Sequence, residues 1–195
     1  MLSHYWNTAS DRMLGVRESE LPEGGDSMHL NSFDYIIKVA DDIVKEHGTR
    51  SAEALASALD ITIIEGSFLK QKGAYLLIED LPYIILNNNL SDELRNIVIL
   101  HEIGHHLLHR DMANAFHETT LFDMSCHNME YEANLFAAQV MLTDSETTEY
   151  IKQGYSITEI AAAMNTDPNL VALKATDLNR RGLALNIPDF KADFL

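Results

Sequence analysis

The sequence predicts an α+β fold in which a small three-stranded sheet lies beside one central helix and a helical pair follows at the C-terminal end. Three observations predict it. Short runs of β-branched and aromatic residues between positions 61 and 88 indicate strands, and apolar residues recur with helical spacing on both sides of them. Capping signals also mark two helices within residues 145–195. Of the 195 residues, 46% are hydrophobic, which is enough for a packed core.

The elements before the central helix are predicted in chain order. Residues 1–30 are polar and lack a sustained period, which indicates a flexible N-terminal tail. Apolar spacing predicts a helix from Phe33 to Glu46, and Ser51 can cap a short second helix.

Three strand-like segments follow, at residues 61–66, 73–79 and 82–88. The second and third are joined through Asp80 and Leu81, and this short connection predicts an antiparallel hairpin.

The central helix and the elements after it carry clear start signals. Ser91, followed by two acids, begins the central helix, which extends to about His109. Residues 111–127 are predicted to be irregular, and a further helix covers residues 128–141. The C-terminal pair begins at a capping box of Ser156 with Glu159 and at Asp167 followed by Pro168.

The composition argues against several classes of function. A formal net charge of −16 repels phosphate backbones and anionic lipids, so we expect neither direct nucleic-acid binding nor membrane binding. The single cysteine, Cys126, rules out an intrachain disulfide. No apolar run reaches the length of a signal-peptide core or a membrane span. We therefore expect a cytoplasmic protein.

The central helix contains a metal-binding motif, because residues 101–105 read H-E-x-x-H. Residues four apart share one helix face, so His101 and His105 can reach one ion at ~2.0–2.1 Å. Glu102 lies ~100° round the helix, where it can act on a water molecule instead of binding the ion. Chance gives roughly 0.03 such matches in this composition. The motif predicts one zinc ion per chain and Glu102 as general base.

Zinc in a catalytic site needs a third protein ligand, and the residues leave several candidates open. Asp111 has the spacing of one protease class, but that class requires glycine at position 108, where this chain has Leu108. His117 and His127 could fold back to the ion, although no helix or spacing fixes them.

The helix at residues 128–141 supplies two acidic candidates, Glu130 and Glu132, which lie ~200° apart and cannot both face the ion. Glu130 shares its face with small residues, which allow close helix approach, and with Asn134, which can hydrogen-bond a ligand histidine. Glu132 lies on the same side of this helix as Asn128 and Gln139, and we expect that side to be wetter than the side of Glu130. These facing arguments favour Glu130 as the third ligand.

Three neighbours of the motif have other expected roles. Gly104 either clears space for substrate or the second helix, or serves ordinary packing. His106 and His109 are expected to point away from the metal, with His109 near a helix-end carbonyl.

Two segments together resemble a known family. The stretches YIILNNNLSDELRNIVILHEIGHHLLH and EYEANLFAA are similar to the ImmA/IrrE family of metallopeptidases. The resemblance runs from about Phe33 to Asp144. It implies a thermolysin-like zincin core, with a three-stranded sheet beside the active-site helix. It also implies a zinc endopeptidase that cleaves helix-turn-helix regulators resembling phage repressors.

Carried over to this chain, the resemblance makes residues 31–144 a zinc metallopeptidase domain. His101, His105 and Glu130 become ligands of one zinc ion, and Glu102 becomes the catalytic acid and base. The chain departs from the family at VMLTD, where many relatives have a proline-containing turn. Residues 1–30 have no recognised counterpart.

A second function is a metal-binding regulatory or sensor module that binds a regulator without cleaving it. In that hypothesis the helix-turn-helix-like segment at residues 145–195 provides the docking surface. This segment has more acidic than basic side chains, which argues against DNA as its target. The group that stabilises the oxyanion is left open among Tyr131, His109, His117 and Arg95.

Overall fold

The fold combines helices with one small sheet, and the mixed α+β prediction is confirmed. The computed structural model describes residues 32–67, 71–110 and 124–183. The helices are α1 Ser32–His47, α2 Ala52–Ala58, α3 Asp92–Leu108, α4 Met124–Met141, α5 Asp144–Lys152, α6 Ile157–Ala163 and α7 Pro168–Arg180. The strands are β1 Thr62–Gly66, β2 Gly73–Ile78 and β3 Leu81–Asn87. The expected N-terminal tail, residues 1–30, lies outside the described residues.

The sheet has the order β1-β3-β2, so β3 is the central strand. The predicted antiparallel hairpin of β2 and β3 is confirmed, with Tyr75 opposite Ile84. Its turn consists of Glu79 and Asp80, one residue earlier than expected, with φ values of 52° and 64°. Two consecutive positive φ values are typical of the turns that match the twist of a hairpin. The parallel pairing of β1 with β3 is a feature that the strand patterns do not predict.

The predicted caps of the short helices are present. The Ser51 hydroxyl accepts the Ala54 N–H at the start of α2, and the Ser156–Glu159 capping box begins α6. Asp167 caps α7, with Pro168 as its first residue. Each cap satisfies backbone N–H groups that the helix itself leaves without a partner.

In the second half of the chain one prediction was wrong and one helix was missed. Residues 124–127, expected to be irregular, form the first turn of α4. Helix α5 was not predicted, although Thr143 carries a capping signal for it. The Thr143 hydroxyl accepts the Glu146 N–H at 3.2 Å and lies 2.6 Å from the Glu146 carboxylate.

Helix α3 lies at the centre of the core. It packs against α4, α2, β2 and β3, and its residues Ile97 to Leu100 are buried on all sides. This environment holds the backbone of α3 firmly, because close-packed side chains permit little movement.

Within the described ranges, no helix combines the length and the apolar character that crossing a membrane requires.

A buried charged cluster ties α7 to α4 and α5. The Lys174 side chain, 1% exposed, forms an ion pair with Asp144 and donates to Gln139. Arg181 bridges Asp144 and the buried Asp177. Burial opposes ionisation of Asp144, but hydrogen bonds from Arg181 and Lys174 outweigh it and lower its pKa to about 2. Since buried charges are tolerated when they are paired, these contacts anchor the C-terminal helices on the core.

The lowered pKa of Asp144 predicts a pH-dependent stability difference. Because this pKa falls from 3.8 to about 2 on folding, the stability that it contributes is complete above about pH 4 and lost as the pH falls towards 2. We expect Asp144→Asn to lower the free energy of unfolding near neutral pH, with the variant and wild-type curves converging towards pH 2. Urea unfolding across this range measures the difference. Parallel curves would contradict the assignment.

Candidate metal centre

Two histidines of α3 present matching ring nitrogens on one side of the helix. His101 and His105 are one turn apart, and their Nε2 atoms lie 3.1 Å from each other. His101 is buried and His105 is half-buried. The burial of α3 fixes the backbone from which both rings project.

Helix α4 adds a carboxylate to this pair. Glu130 Oε2 lies 3.2 Å from His101 Nε2, and its Oε1 lies 3.3 Å from His105 Nε2. Ligand atoms about 2.0–2.1 Å from a tetrahedral zinc ion would be roughly 3.3–3.4 Å apart. The observed separations match that spacing, so these three residues, the donor set, fit a zinc ion.

The electrostatics of the donor set favour a positive charge at its centre. Burial lowers the pKa of His101, but the hydrogen bond to Glu130 and the Glu102 charge outweigh burial and raise it overall. Although burial acts in the opposite direction, hydrogen bonds from both histidines bring the pKa of Glu130 well below its usual range. A proton or a metal ion can supply the favoured charge, and the two compete for the same lone pairs.

Asn134 orients the first histidine. Its Oδ1 lies 2.8 Å from His101 Nδ1, and its side chain is buried. An amide oxygen at this distance accepts a hydrogen bond, so the hydrogen of neutral His101 is on Nδ1 and the Nε2 lone pair faces Glu130.

Glu102 lies beside the donor set and is buried. It is 6% exposed, and burial raises its pKa, while the nearby histidines and the backbone N–H of Tyr75 act in the opposite direction. Burial thus makes the Glu102 carboxyl group hold a proton more readily than an exposed carboxyl group does.

Gly73 is a site residue that the sequence did not reveal. A Cβ at this position would lie 2.4 Å from Val98 Cγ1 and 3.3 Å from Glu102 Oε1. Glycine therefore lets the edge strand β2 lie directly against the proposed base. The signal available in the sequence was a glycine at the start of a strand, which often marks a close backbone approach.

Tyr75 and His106 connect the same strand to α3. The Tyr75 hydroxyl lies 2.8 Å from His106 Nδ1, and the rings pack edge to face at 5.3 Å. Burial lowers the pKa of His106 to about 4 and raises that of Tyr75 to about 12. Both groups are therefore neutral at pH 7, and a hydrogen bond joins the hydroxyl to the imidazole.

The structure corrects the expected surroundings of His109 and Glu132. The His109 ring lies between His105 and Glu132, with its Nδ1 3.2 Å from His105 Nδ1 and its Nε2 2.9 Å from Glu132 Oε2. The face of Glu132 is only partly wetter than that of Glu130, because Asn128 is exposed but Gln139 is buried and donates to Asp41. Burial lowers the pKa of His109, although Glu132 opposes this shift.

Gly104 sets the distance between α3 and α4. A Cβ at this position would lie 3.0 Å from Ala133 Cα and 3.2 Å from Ala133 O. Of the alternatives raised by the sequence, the structure supports space for the second helix. Because Glu130 is on α4 and the two histidines are on α3, this contact controls how far apart the donors lie.

The remaining candidate residues are Asp111, His117, His127 and Arg95. Asp111 and His117 lie outside the described residues, and His127 lies in the first turn of α4, where its side chain is not described. The Arg95 guanidinium binds the carboxylates of Glu53 and Glu65 at 3.1 and 2.7 Å.

Comparisons with known proteins agree with the geometry. A peptidase family model described as the IrrE N-terminal-like domain matches residues 56–176. The chain is 32% identical over 134 residues to "uncharacterized immunity region protein 2" of Bacillus phage phi105, covering 68% of this chain and 84% of the relative. It is 33% identical over 130 residues to metallopeptidase ImmA of Bacillus subtilis strain 168, covering 63% of this chain and 73% of the relative.

The tight contact at Gly104 predicts the effect of an added methyl group. Gly104→Ala should improve helix propensity by about 1 kcal/mol, but overpacking against Ala133 should cost about 1–3 kcal/mol and separate the helices. We expect weaker zinc binding together with unchanged or lower stability. Zinc titration and urea unfolding measure the two effects. A variant that gains stability and keeps full zinc affinity would contradict the close-contact interpretation.

The donor set predicts a specific role for Glu130. Glu130→Gln removes the negative charge and should reduce zinc affinity by more than the ~10–100-fold typical of outer residues. Competition with a chromophoric chelator measures the change. The exposed Glu149→Gln is a matched control and should bind zinc like the wild type. Equal affinity of the Glu130 variant and the control would exclude Glu130 as a ligand.

Proposed function

Because the chain belongs to the metallopeptidase family described as the IrrE N-terminal-like domain, we propose that it is a zinc endopeptidase of thermolysin-like zincin architecture. His101, His105 and Glu130 would hold one zinc ion, and Asn134 would orient His101. Residues 31–144 would form the peptidase domain. The C-terminal helical segment, residues 145–195, would support that domain through the Lys174 ion pair with Asp144.

The observation that carries this proposal is the arrangement of four side chains on two helices. The two histidine Nε2 atoms and the two carboxylate oxygens of Glu130 converge, with separations of 3.1–3.3 Å between the residues, and Glu102 is buried directly beside them. A metal site for peptide hydrolysis needs three protein ligands, an open coordination position and a base that does not bind the ion. The placement of the donor set and of Glu102 supports this division of roles.

The protein groups would carry the proton transfers. Glu102 would accept a proton from the attacking water and deliver it to the departing amine. Its raised pKa suits both steps, because a buried carboxyl group holds a proton more readily than an exposed one. When bound, zinc would act as a Lewis acid that polarises the peptide carbonyl and activates water near neutral pH.

The edge strand β2 offers a place for an extended substrate. Within the described residues β2 has a strand partner on one side only, β3. Gly73 brings the start of β2 against Glu102, so a peptide added along this edge would pass close to the base. Substrates of this kind are extended, and a flexible linker between domains meets that requirement.

We propose a helix-turn-helix regulator resembling a phage repressor as the substrate. The support is the family and the relatives' names, since one relative is an immunity region protein of a phage and another is metallopeptidase ImmA. The negative charge of this chain suits a protein partner better than DNA. A cytoplasmic location would bring the enzyme to such a regulator.

Replacing the proposed base should separate zinc binding from cleavage. Glu102→Gln should retain one zinc per chain, since Glu102 is not a ligand, and should lower the cleavage rate by at least ~10²–10⁴-fold. The variant can capture uncut substrate in a pull-down from cells that carry phage-like regulators. Zinc content, binding and proteolysis are then measured on the captured regulator.

The outcomes separate the proposed peptidase from a binding module. Cleavage by the wild type, with binding but no cleavage by the variant, supports the peptidase. Equal cleavage by both proteins would indicate a contaminating protease or a different base. Release of the regulator from DNA by both proteins without cleavage would contradict the enzyme and support a sensor module.

A further inference from the structure

A chain of hydrogen bonds begins at Nδ1 of the proposed ligand His105. From His105 it passes through the ring of His109 to the carboxylate of Glu132, with separations of 3.2 and 2.9 Å. The His109 side chain is 8% exposed and that of Glu132 is 31% exposed. The three residues come from two helices, α3 and α4, so the chain exists only when these helices are packed together.

From this geometry we infer that His109 and Glu132 are positioning residues that set the tautomer and the ring orientation of His105. The inference rests on the proposed function, in which His105 Nε2 binds zinc. His109 and Glu132 would act through His105 and would not touch the ion or the substrate.

The direction of the hydrogen bonds follows from the carboxylate. An ionised carboxylate only accepts hydrogen bonds, so the nitrogen facing Glu132 must be an N–H donor. A neutral imidazole has one N–H, and the other nitrogen of His109, Nδ1, is therefore an acceptor. His105 Nδ1 must then donate to it, which leaves the lone pair of His105 on Nε2. That nitrogen faces Glu130 and His101.

The opposite direction would place two acceptors face to face. If His109 donated from Nδ1 to His105, its Nε2 lone pair would point at the Glu132 carboxylate at 2.9 Å. His105 would also have its hydrogen on Nε2, in the centre of the donor set. The first direction therefore satisfies the contacts of His109 and Glu132, and it places the His105 Nε2 lone pair where metal binding requires it.

The first histidine has an equivalent but simpler arrangement. His101 Nδ1 is satisfied by the buried Asn134 at 2.8 Å. Each proposed histidine ligand thus has an acceptor from α4, reached directly for His101 and through His109 for His105. Helix α4 would therefore contribute one ligand, the direct orienting contact of His101 and the acceptor that orients His109.

The test measures zinc affinity, using Zn²⁺ in competition with a chelator, for variants of the full chain. His109→Phe keeps a ring of similar size, and Glu132→Leu keeps the side-chain bulk, but each removes the hydrogen bonding. We expect each to lower zinc affinity ~10–100-fold. The double variant should lose about as much zinc affinity as either single variant, because both changes interrupt the same series of hydrogen bonds. Glu132→Gln should retain most of the affinity, since its amide oxygen can still accept.

Two further measurements make the test specific. Glu149→Leu applies the same change to an exposed glutamate of α5 and should leave zinc affinity unchanged. In the zinc-loaded wild type the His105 Nδ1 hydrogen should exchange slowly with water in nitrogen-15 NMR spectra, and the exchange should become fast in His109→Phe. Urea unfolding reports whether each variant is folded, and Glu132→Leu at its partly exposed position decides the matter if His109→Phe does not fold.

The outcomes distinguish this inference from the proposed function. Lower zinc affinity in both single variants, without an additive loss in the double variant, supports the inferred role of His109 and Glu132. If the wild type binds zinc tightly and the variants bind equally well, or lose affinity additively, the inferred role of His109 and Glu132 is wrong. The peptidase proposal would remain intact. A folded wild type that binds no zinc would overturn both.

Discussion

The close contact between α3 and α4 is the constraint on which the site depends. Gly104 lies between His101 and His105, and even one additional carbon would lie 3.0 Å from the backbone of Ala133. Because Glu130 is on the opposite helix, its carboxylate meets both histidines only at this interhelical distance. Glycine in the helix interior lowers the stability of α3 relative to alanine, but it lets the two helices lie close enough to share the donor set.

The same contact determines the polar surroundings of the donors. Buried polar groups need hydrogen-bond partners: His101 finds Asn134 across the interface between the helices, and His105 reaches Glu132 on α4 only through His109. Glu102 is different, because burial raises its pKa. Within one turn of α3, the donor set thus favours a bound cation, and the buried position beside His101 favours the protonated form of a carboxyl group.

The C-terminal helices contribute to the site indirectly. Arg50 donates to the carbonyls of Gln139 and Val140 near the end of α4, and Lys174 of α7 donates to the Gln139 side chain. The end of α4 is thereby held by charged groups from distant parts of the chain. Lys174 is buried and is paired with Asp144, and it connects the helix that carries Glu130 to the last described helix.

The sequence by itself determined the features that depend on residues within about one helical turn. The caps at Ser51 and Ser156, the hairpin and the one-turn spacing of His101 and His105 follow from local backbone geometry. Only the tertiary structure decided contacts between residues distant in the sequence. The parallel β1–β3 pairing, the approach of Gly73 to Glu102 and the placement of Glu132 beside His109 depend on packing across the core. A helical period states which face a side chain is on, but it does not state what packs against that face.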